Sequence, residues 1–516
     1  MTTTEILKNT NQALGIGTFA LDFMSGNIGD PSQDVLDRTA LFFTDAVLCG
    51  LSAIALKTNA PTVLRNEALS FLSEKGATVF GSSARVLPEK AVLANCAAVR
   101  EWDSNGTNFG YNPDLGHVAG EFGHNDFYAI PVVAAQINEL DGATALRGMV
   151  LLDEIRGRLA EVFSLKTYKI DHVVHGAIAS AAVYGSMCGA TPEQIESAIG
   201  MVVAHFVPWR AIRAGKELSD SKGSSAAISA EVAVVSMKRA MWGFMGPKDI
   251  FRNPEAIFRY FEPTDGDSPF DLVLSHGGSS FAVMGMHFKI GLYEHQSAGA
   301  LQGLLQLMQQ DPGVFSRPNN ISSITITAYE PAFGIIGDPS KRDPKTRQSA
   351  DHSMVYIVST MLRKAVEVMD AEGTSLFESS NDEMWKRLML TPYDFDTDAI
   401  NNKKTRSIME TITFDHGGGA YDEKYPDGIP TSISVETAGG TVLESGLIMY
   451  PSGHARNTTC DLQDILQAKF AMHGNIAMDD SSSLIKRCLS VGSLDPAAVL
   501  AMWDIELADR PVFRDG

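Results

Sequence analysis

Three stretches of this 516-residue chain gather carboxylates, imidazoles and cations. The first runs Glu101-Trp-Asp103-Ser-Asn-Gly-Thr107 and continues through a loop holding Gly116-His117 to Glu121-Phe-Gly-His124-Asn-Asp126. A carboxylate, a hydroxyl and two histidines in an otherwise apolar region supply acid–base groups and hydrogen-bond donors. The same residues also suit a plain helix end, with Asp103 and Thr107 as caps. The second stretch is Tyr168-Lys-Ile-Asp171-His172-Val-Val-His175. His172 and His175 stand three apart and could share a helix face, but H-x-x-H alone does not make a metal site. A single acid–base histidine beside Asp171 is the stronger reading.

The third stretch places Arg210, Arg213, Lys216 and Lys222 among small residues, just before an Ala/Ser-rich helix expected over 224–235. Cations at a helix start oppose the helix dipole. Together with that helix start they form a good seat for a carboxylate or phosphate, although a solvated basic loop explains them equally well. A further polar, Pro-punctuated run, 337–353, ends in Asp351-His352-Ser353 where a helix begins.

Several chemistries lose support. There is no G-x-G-x-x-G after a strand, no Walker loop and no G-x-S-x-G, so nucleotide cofactors and α/β-hydrolase chemistry are not expected. Cys49, Cys96, Cys188, Cys460 and Cys488 are odd in number and far apart. That spacing argues against a disulfide framework, a Cys-rich zinc site and a cysteine-ligated iron–sulfur cluster. No metal is expected. With 42 Lys+Arg against 62 Asp+Glu, the net charge is −20, a poor match for nucleic acid or anionic lipid. A pocket needs only a few cations to hold a small anionic substrate. No run approaches the roughly 18 uninterrupted apolar residues of a membrane span. The N-terminal residues resemble neither a secretory signal nor a transit peptide, and with the cysteine usage this predicts a reducing, cytoplasmic location.

These groups need elements to position them, and a chain of this length suggests two domains. Up to about residue 280 the signals are helical. In 151–163, Leu152, Ile155, Leu159, Val162 and Phe163 recur at helical spacing, with Asp153, Glu154, Arg156 and Arg158 on the other faces. Thr191-Pro-Glu-Gln194 reads as a capped helix start. The run 176–188 is rich in Ala, Gly and Ser, which lets neighbouring helices come close. Residues 324–327 then alternate as a half-buried strand does. Runs 432–436 and 441–449, separated by Gly439-Gly440, predict a β-hairpin. A helix-like segment, 353–368, lies between these strands, and helical patterns return after Pro451, most clearly over 462–472. The expected fold is mainly α with an α+β part. A large helical-bundle domain (1–281) would be followed by a smaller α+β lid domain (282–450), inserted before C-terminal helices (451–516) that return to the helical domain.

Taken in order, the motifs resemble those of the MmgE/PrpD family, whose best-known members are 2-methylcitrate dehydratases. Asp103-Ser-Asn-Gly-Thr107 is similar to D-x-x-[DG]-T, Glu121-Phe-Gly-His124 to E-x-x-H, and Asp171-His172-Val to D-H-V. The segment from Arg213 to Gly223 resembles R-x-G-x-L-S-x-x-K-G with one residue inserted. Thr346-Arg-Gln-Ser-Ala-Asp351-His352-Ser353 matches T-R-x-x-A-D-H-S, and Tyr450-Pro451 with Gly453 and Arg456-Asn457 matches Y-P-x-G-x-x-R-N. Two departures bear on the substrate. His124-Asn-Asp126 stands where the family usually carries H-P-[SG]-[DA], and the loop 107–124 is longer.

The resemblance implies a homodimeric, cofactor-free enzyme acting on a small anionic carboxylate. Dehydrating a citrate-like acid means removing a weakly acidic C–H proton beside a carboxylate and protonating the departing oxygen. His172 and Asp103 are the candidate base and acid, with Thr107 and His124 orienting the substrate. Arg213, Lys222, Arg210 and His352 would bind its carboxylates. Decarboxylation of a cis-aconitate-type acid, epimerisation, and a catalytically silent scaffold are the alternatives.

Overall fold

The longest apolar helix of the chain, Gln33–Ala55, runs through the interior, with every residue from Phe42 to Ala55 buried. By length and composition it could cross a membrane (mean hydropathy 1.4), but 83% of that window lies inside the protein, as in a core helix. This is seen in a computed structural model that describes residues 2–213 and 217–515.

Pro88–Glu101 packs against Gln33–Ala55, Asn59–Leu69 and Asp220–Met241, and Leu462–Ala477 returns to lie along Gln33–Ala55. The small residues of Val173–Met187 do what their size allows. A Cβ placed on Gly176 would stand 2.1 Å from the Phe127 ring. At Thr191 the expected capping box forms, with the Gln194 amide accepted by the Thr191 hydroxyl and the Gln194 side chain accepting from the Thr191 N–H.

A four-stranded mixed sheet occupies the later part of the chain. Ile321–Ala328 lies inside it, parallel to Ile412–His416 and antiparallel to Thr431–Thr437, which pairs in turn with Val442–Glu444. Ile324, Ile326 and Ala328 point to the buried side, so the period-2 pattern is real. Helix Met354–Glu372 is capped by the Ser353 hydroxyl. Helix accounts for 55% and strand for 11% of the structure, which makes it mainly α with an α+β part. Its apolar side chains form two clusters. One takes residues from Ile6 to Phe288 together with Leu466 to Trp503. The other is built mainly from residues between Ile290 and Ile476, joined by Cys49, Ala53, Leu56, Trp102, Phe109 and Phe513.

Asp153, Glu154, Arg156 and Arg158 are all buried on helix Gly142–Val162, where their charges pair with one another. Two local expectations need correction. The second hairpin strand stops at Glu444, and Gly446, at φ +68, turns the chain before a single bridge re-forms between Ile448 and Thr431. The Ala/Ser-rich helix begins at Asp220 rather than 224, so Lys222 sits within its first turn.

Candidate active site

Trp102 ends the helix Pro88–Glu101 with an extended backbone, and its indole N–H donates to Ser52 Oγ at 2.9 Å. The chain is thereby turned inward at Asp103, which is fully buried and caps nothing. Its carboxylate meets Arg100 Nη1 at 2.9 Å, His352 Nε2 at 3.3 Å, Lys222 Nζ at 3.7 Å and, closest, Lys289 Nζ. Burial alone would raise its pKa, but Arg100, Lys289, His352 and Lys222 outweigh that and hold it well below the usual range.

Behind Asp103 the charges continue. Lys222 donates to Asp351 Oδ1 at 3.0 Å, His352 Nδ1 meets the same oxygen at 2.7 Å, and Arg347 bridges Asp351 to Glu101 at 3.1 and 2.8 Å. Burial brings the Lys222 ammonium down to about 8, with Asp351 and Asp103 resisting. Asp103, Asp351 and His352 present ligand atoms within 4.8 Å of one another, close enough to share a cation. Lys222 and Lys289 already occupy those carboxylates, however, so a divalent ion would have to displace them.

His124 arrives by a different route. Thr107–Asn108 and Gly123–His124 form a two-residue antiparallel ladder, and Thr107 Oγ1 donates to the Gly123 carbonyl at 3.0 Å. A Cβ at position 123 would lie 2.3 Å from Asn108 Oδ1, so a side chain there would have to push the Asn108 amide aside. The two residues that depart from the family pattern are buried supports. Asn125 donates to the Phe42 carbonyl, and Asp126 accepts from Asn105.

His172 precedes helix Val173–Met187, its ring centroid 5.1 Å from that of His124. Arg213 Nη2 stands 3.2 Å from His172 Nε2, while the same guanidinium grips Asp171 with two nitrogens. His175 turns away from His172 and places Nε2 3.0 Å from the Phe163 carbonyl, so the i, i+3 pair does not converge on an ion. Burial is the first cause that pushes all three site imidazoles down. His124 and His172 lie well below the ordinary value, and His352, also beside Lys222, falls to about 4. At neutral pH they are unprotonated bases.

These groups surround a narrow cleft of about 50 Å3. His124, His172, Arg210, Arg213 and His352 line it, as do Glu294, Gln296, Lys341 and the apolar Phe122, Ile335 and Ile336. Asp103, Thr107 and Lys222, expected to meet the substrate, stand behind this wall instead. Lys216 lies outside the described residues. Sequence reading missed Arg100, Lys289, Arg347, Glu294 and Gln296. Arg100 had a signal, its i, i+3 spacing to Asp103. Lys289 had a weaker one, a lone cation between Phe288 and Ile290. Glu294 and Gln296 had none, because Gly291, at φ +111 and with room for no side chain (a Cβ there would lie 2.9 Å from the Leu390 carbonyl oxygen), turns an irregular loop toward the cleft. Ser104 Oγ donates to the Gly291 carbonyl and Tyr293 N–H to the Asp103 carbonyl, which stitches that loop to the site.

Known proteins resemble this chain over most of its length. Residues 22–268 match the MmgE/PrpD N-terminal domain and residues 293–490 the MmgE/PrpD C-terminal domain. The 2-methylcitrate dehydratase of Escherichia coli (strain K12) is 24% identical over 480 residues, covering 91% of this chain and 92% of its own. The mitochondrial 2-methylcitrate dehydratase of Yarrowia lipolytica (strain CLIB 122 / E 150) is 24% identical over 456 residues, 86% of this chain and 80% of its own. Alkylcitrate dehydratase phiI of Fungal sp. (strain ATCC 74256) is 26% identical over 358 residues, 68% and 65% respectively. With both family domains matched in order and the buried charges and histidines gathered at one cleft, the chain belongs to the MmgE/PrpD family.

Proposed function

We propose that this protein dehydrates a citrate-like tricarboxylate of the 2-methylcitrate type, using side chains alone for acid–base chemistry. One observation carries the reading: unprotonated His172 and His124 share a cleft wall with Arg210 and Arg213. Imidazoles free of their proton and cations able to hold a polyanion are thus available in the same space.

The steps follow from the contacts. A substrate carboxylate draws Arg213 Nη2 away from His172 Nε2, and the freed lone pair takes the C–H proton beside a carboxylate. Arg210 and Arg213 offset the charge that develops on that carboxylate. Asp103 acts behind the wall. Ionised and tied to Arg100, Lys289, Lys222 and His352, it orients these groups and does not carry the proton assigned to it from sequence.

The test is incubation with 2-methylcitrate, citrate and related acids, following ultraviolet absorbance for a conjugated C=C. Appearance of the unsaturated acid supports the reading. Release of CO2, or a changed stereocentre without loss of water, replaces dehydration with decarboxylation or epimerisation on the same cleft.

A further inference from the structure

Dehydration needs an acid as well as a base, and Asp103 cannot be it. Among the described residues Glu294 is the one carboxylate that lines the cleft, and it forms no ion pair with any of them. Its backbone is fixed from behind, the Glu294 N–H donating to the Asp351 carbonyl at 2.9 Å. Its Oε2 accepts from the Gln296 N–H at 2.8 Å, opening the single turn His295–Ser297. The carboxyl is thereby oriented without being neutralised. Burial, reinforced by the neighbouring negative charge of Asp103, pushes it up to about 8, so it holds its proton at neutral pH. Asp103, Asp171 and Asp351, each gripped by cations, are pulled the other way.

Gln296 supplies a second, independent observation. Only 1% exposed and set in the cleft wall, its amide finds no partner for either Oε1 or Nε2 among the described residues. Buried polar atoms left open in this way are costly, and a polar substrate group reaching Glu294 would satisfy them.

Resting on the dehydration reading above, we propose that Glu294 is the general acid of the cleft, passing its carboxyl proton to the hydroxyl that leaves the substrate. The step balances. The His172 imidazole takes the C–H proton, and the electron pair of that bond becomes the C=C. The C–O bond breaks with its pair, and the oxygen collects the Glu294 proton and departs as water. Imidazolium and glutamate remain, and one proton returned from the first to the second through solvent restores both.

Glu294→Gln tests this, since the amide keeps the acceptor for the Gln296 N–H but has no proton to give. Its kcat should fall about 10²–10⁴-fold with KM nearly unchanged. The alkaline limb of kcat against pH should vanish. Solvent deuterium should still exchange into the substrate C–H position, because the base is intact. A Glu294→Gln enzyme with near wild-type kcat and the same alkaline limb overturns the inference, as does loss of exchange together with elimination. If the amide variant loses its cooperative melt, Glu294→Asp decides. An alkaline limb retained at lower kcat supports the assignment, and turnover without that limb overturns it. Wild-type protein that dehydrates no tricarboxylate sinks both this step and the function it rests on. Dehydration by wild type and amide variant alike sinks this step only.

Discussion

Two of the buried charge clusters among the described residues differ in what they face: the one around Asp103 borders the cleft, and the one on helix Gly142–Val162 does not line it. On helix Gly142–Val162, Asp153 pairs with Arg156 at 2.8 Å, Glu154 with Arg158 at 2.8 Å, and Arg158 with Glu161 at 2.9 Å. The remaining Glu154 bonds come from the Ser275 and Ala282 N–H groups at 2.6 and 2.7 Å, which pin the segment beyond the helical bundle. Around Asp103 the same residue types occur at similar depth, yet the cluster is bordered by imidazoles that burial keeps neutral and by Glu294, a carboxyl with no ion-pair partner among the described residues. Buried charge alone therefore marks neither chemistry nor its absence. What distinguishes the second cluster is capacity left over: lone pairs, protons and amide groups that the protein itself does not consume.

The contrast can be broken by mutation. His172→Ala removes a base at the open cluster and is expected to lower kcat by about 10²–10⁴ while the melting temperature stays close to wild type. Turnover near wild type would take His172 out of the mechanism. Glu154→Ala, in the closed cluster, leaves Arg158 with one carboxylate fewer and two N–H groups unpaired. A loss of about 3–5 kcal/mol in unfolding free energy is expected, read from denaturant titration, with kcat of the remaining folded enzyme preserved. Lys222→Ala belongs with Glu154→Ala, since Lys222 is 1% exposed behind the wall and its removal strips a cation from both Asp351 and Asp103. An unchanged unfolding midpoint in the Lys222 variant would contradict this.

Arg213→Ala acts at the cleft face and should raise KM about ten- to a hundredfold, or 1.5–3 kcal/mol of charge-assisted binding. A further expected effect is in stability against pH. Folded His352 titrates at about 4, whereas an unfolded histidine titrates near 6.5. Below about 6.5 the unfolded chain therefore binds more protons, so stability is full above that pH and declines as pH falls toward 4. His124 and His172 add in the same direction. Melting curves across that window should flatten in His352→Asn, and an unaltered slope would refute the assignment.

Much of this was legible without coordinates wherever the cause is local. A 3.6-residue period marks the helix over 151–163, a Thr191/Gln194 box marks a helix start, and alternation marks the strand over 324–327, because each depends on neighbours a few residues away. The ordered motifs likewise identified the family, and five of eight chosen site residues line the cleft. Depth was not legible. Helical spacing showed where Asp153 and Arg158 sit around their helix, but not that the molecule closes over that side as well. Lys222 was placed at a cleft and proved to lie behind one, because Asp351, 129 residues away, holds it there. Lys289 lies 186 residues from Asp103, and Glu294 is turned to the cleft by a glycine in an irregular loop. The sequence by itself determined which chemistry-bearing residues the protein owns and the helices and strands that carry them. Only the tertiary structure decided which of those charges neutralise one another and which are left to act, since the electrostatic energy of a buried group is set by partners distant in the chain and by the water that packing removes.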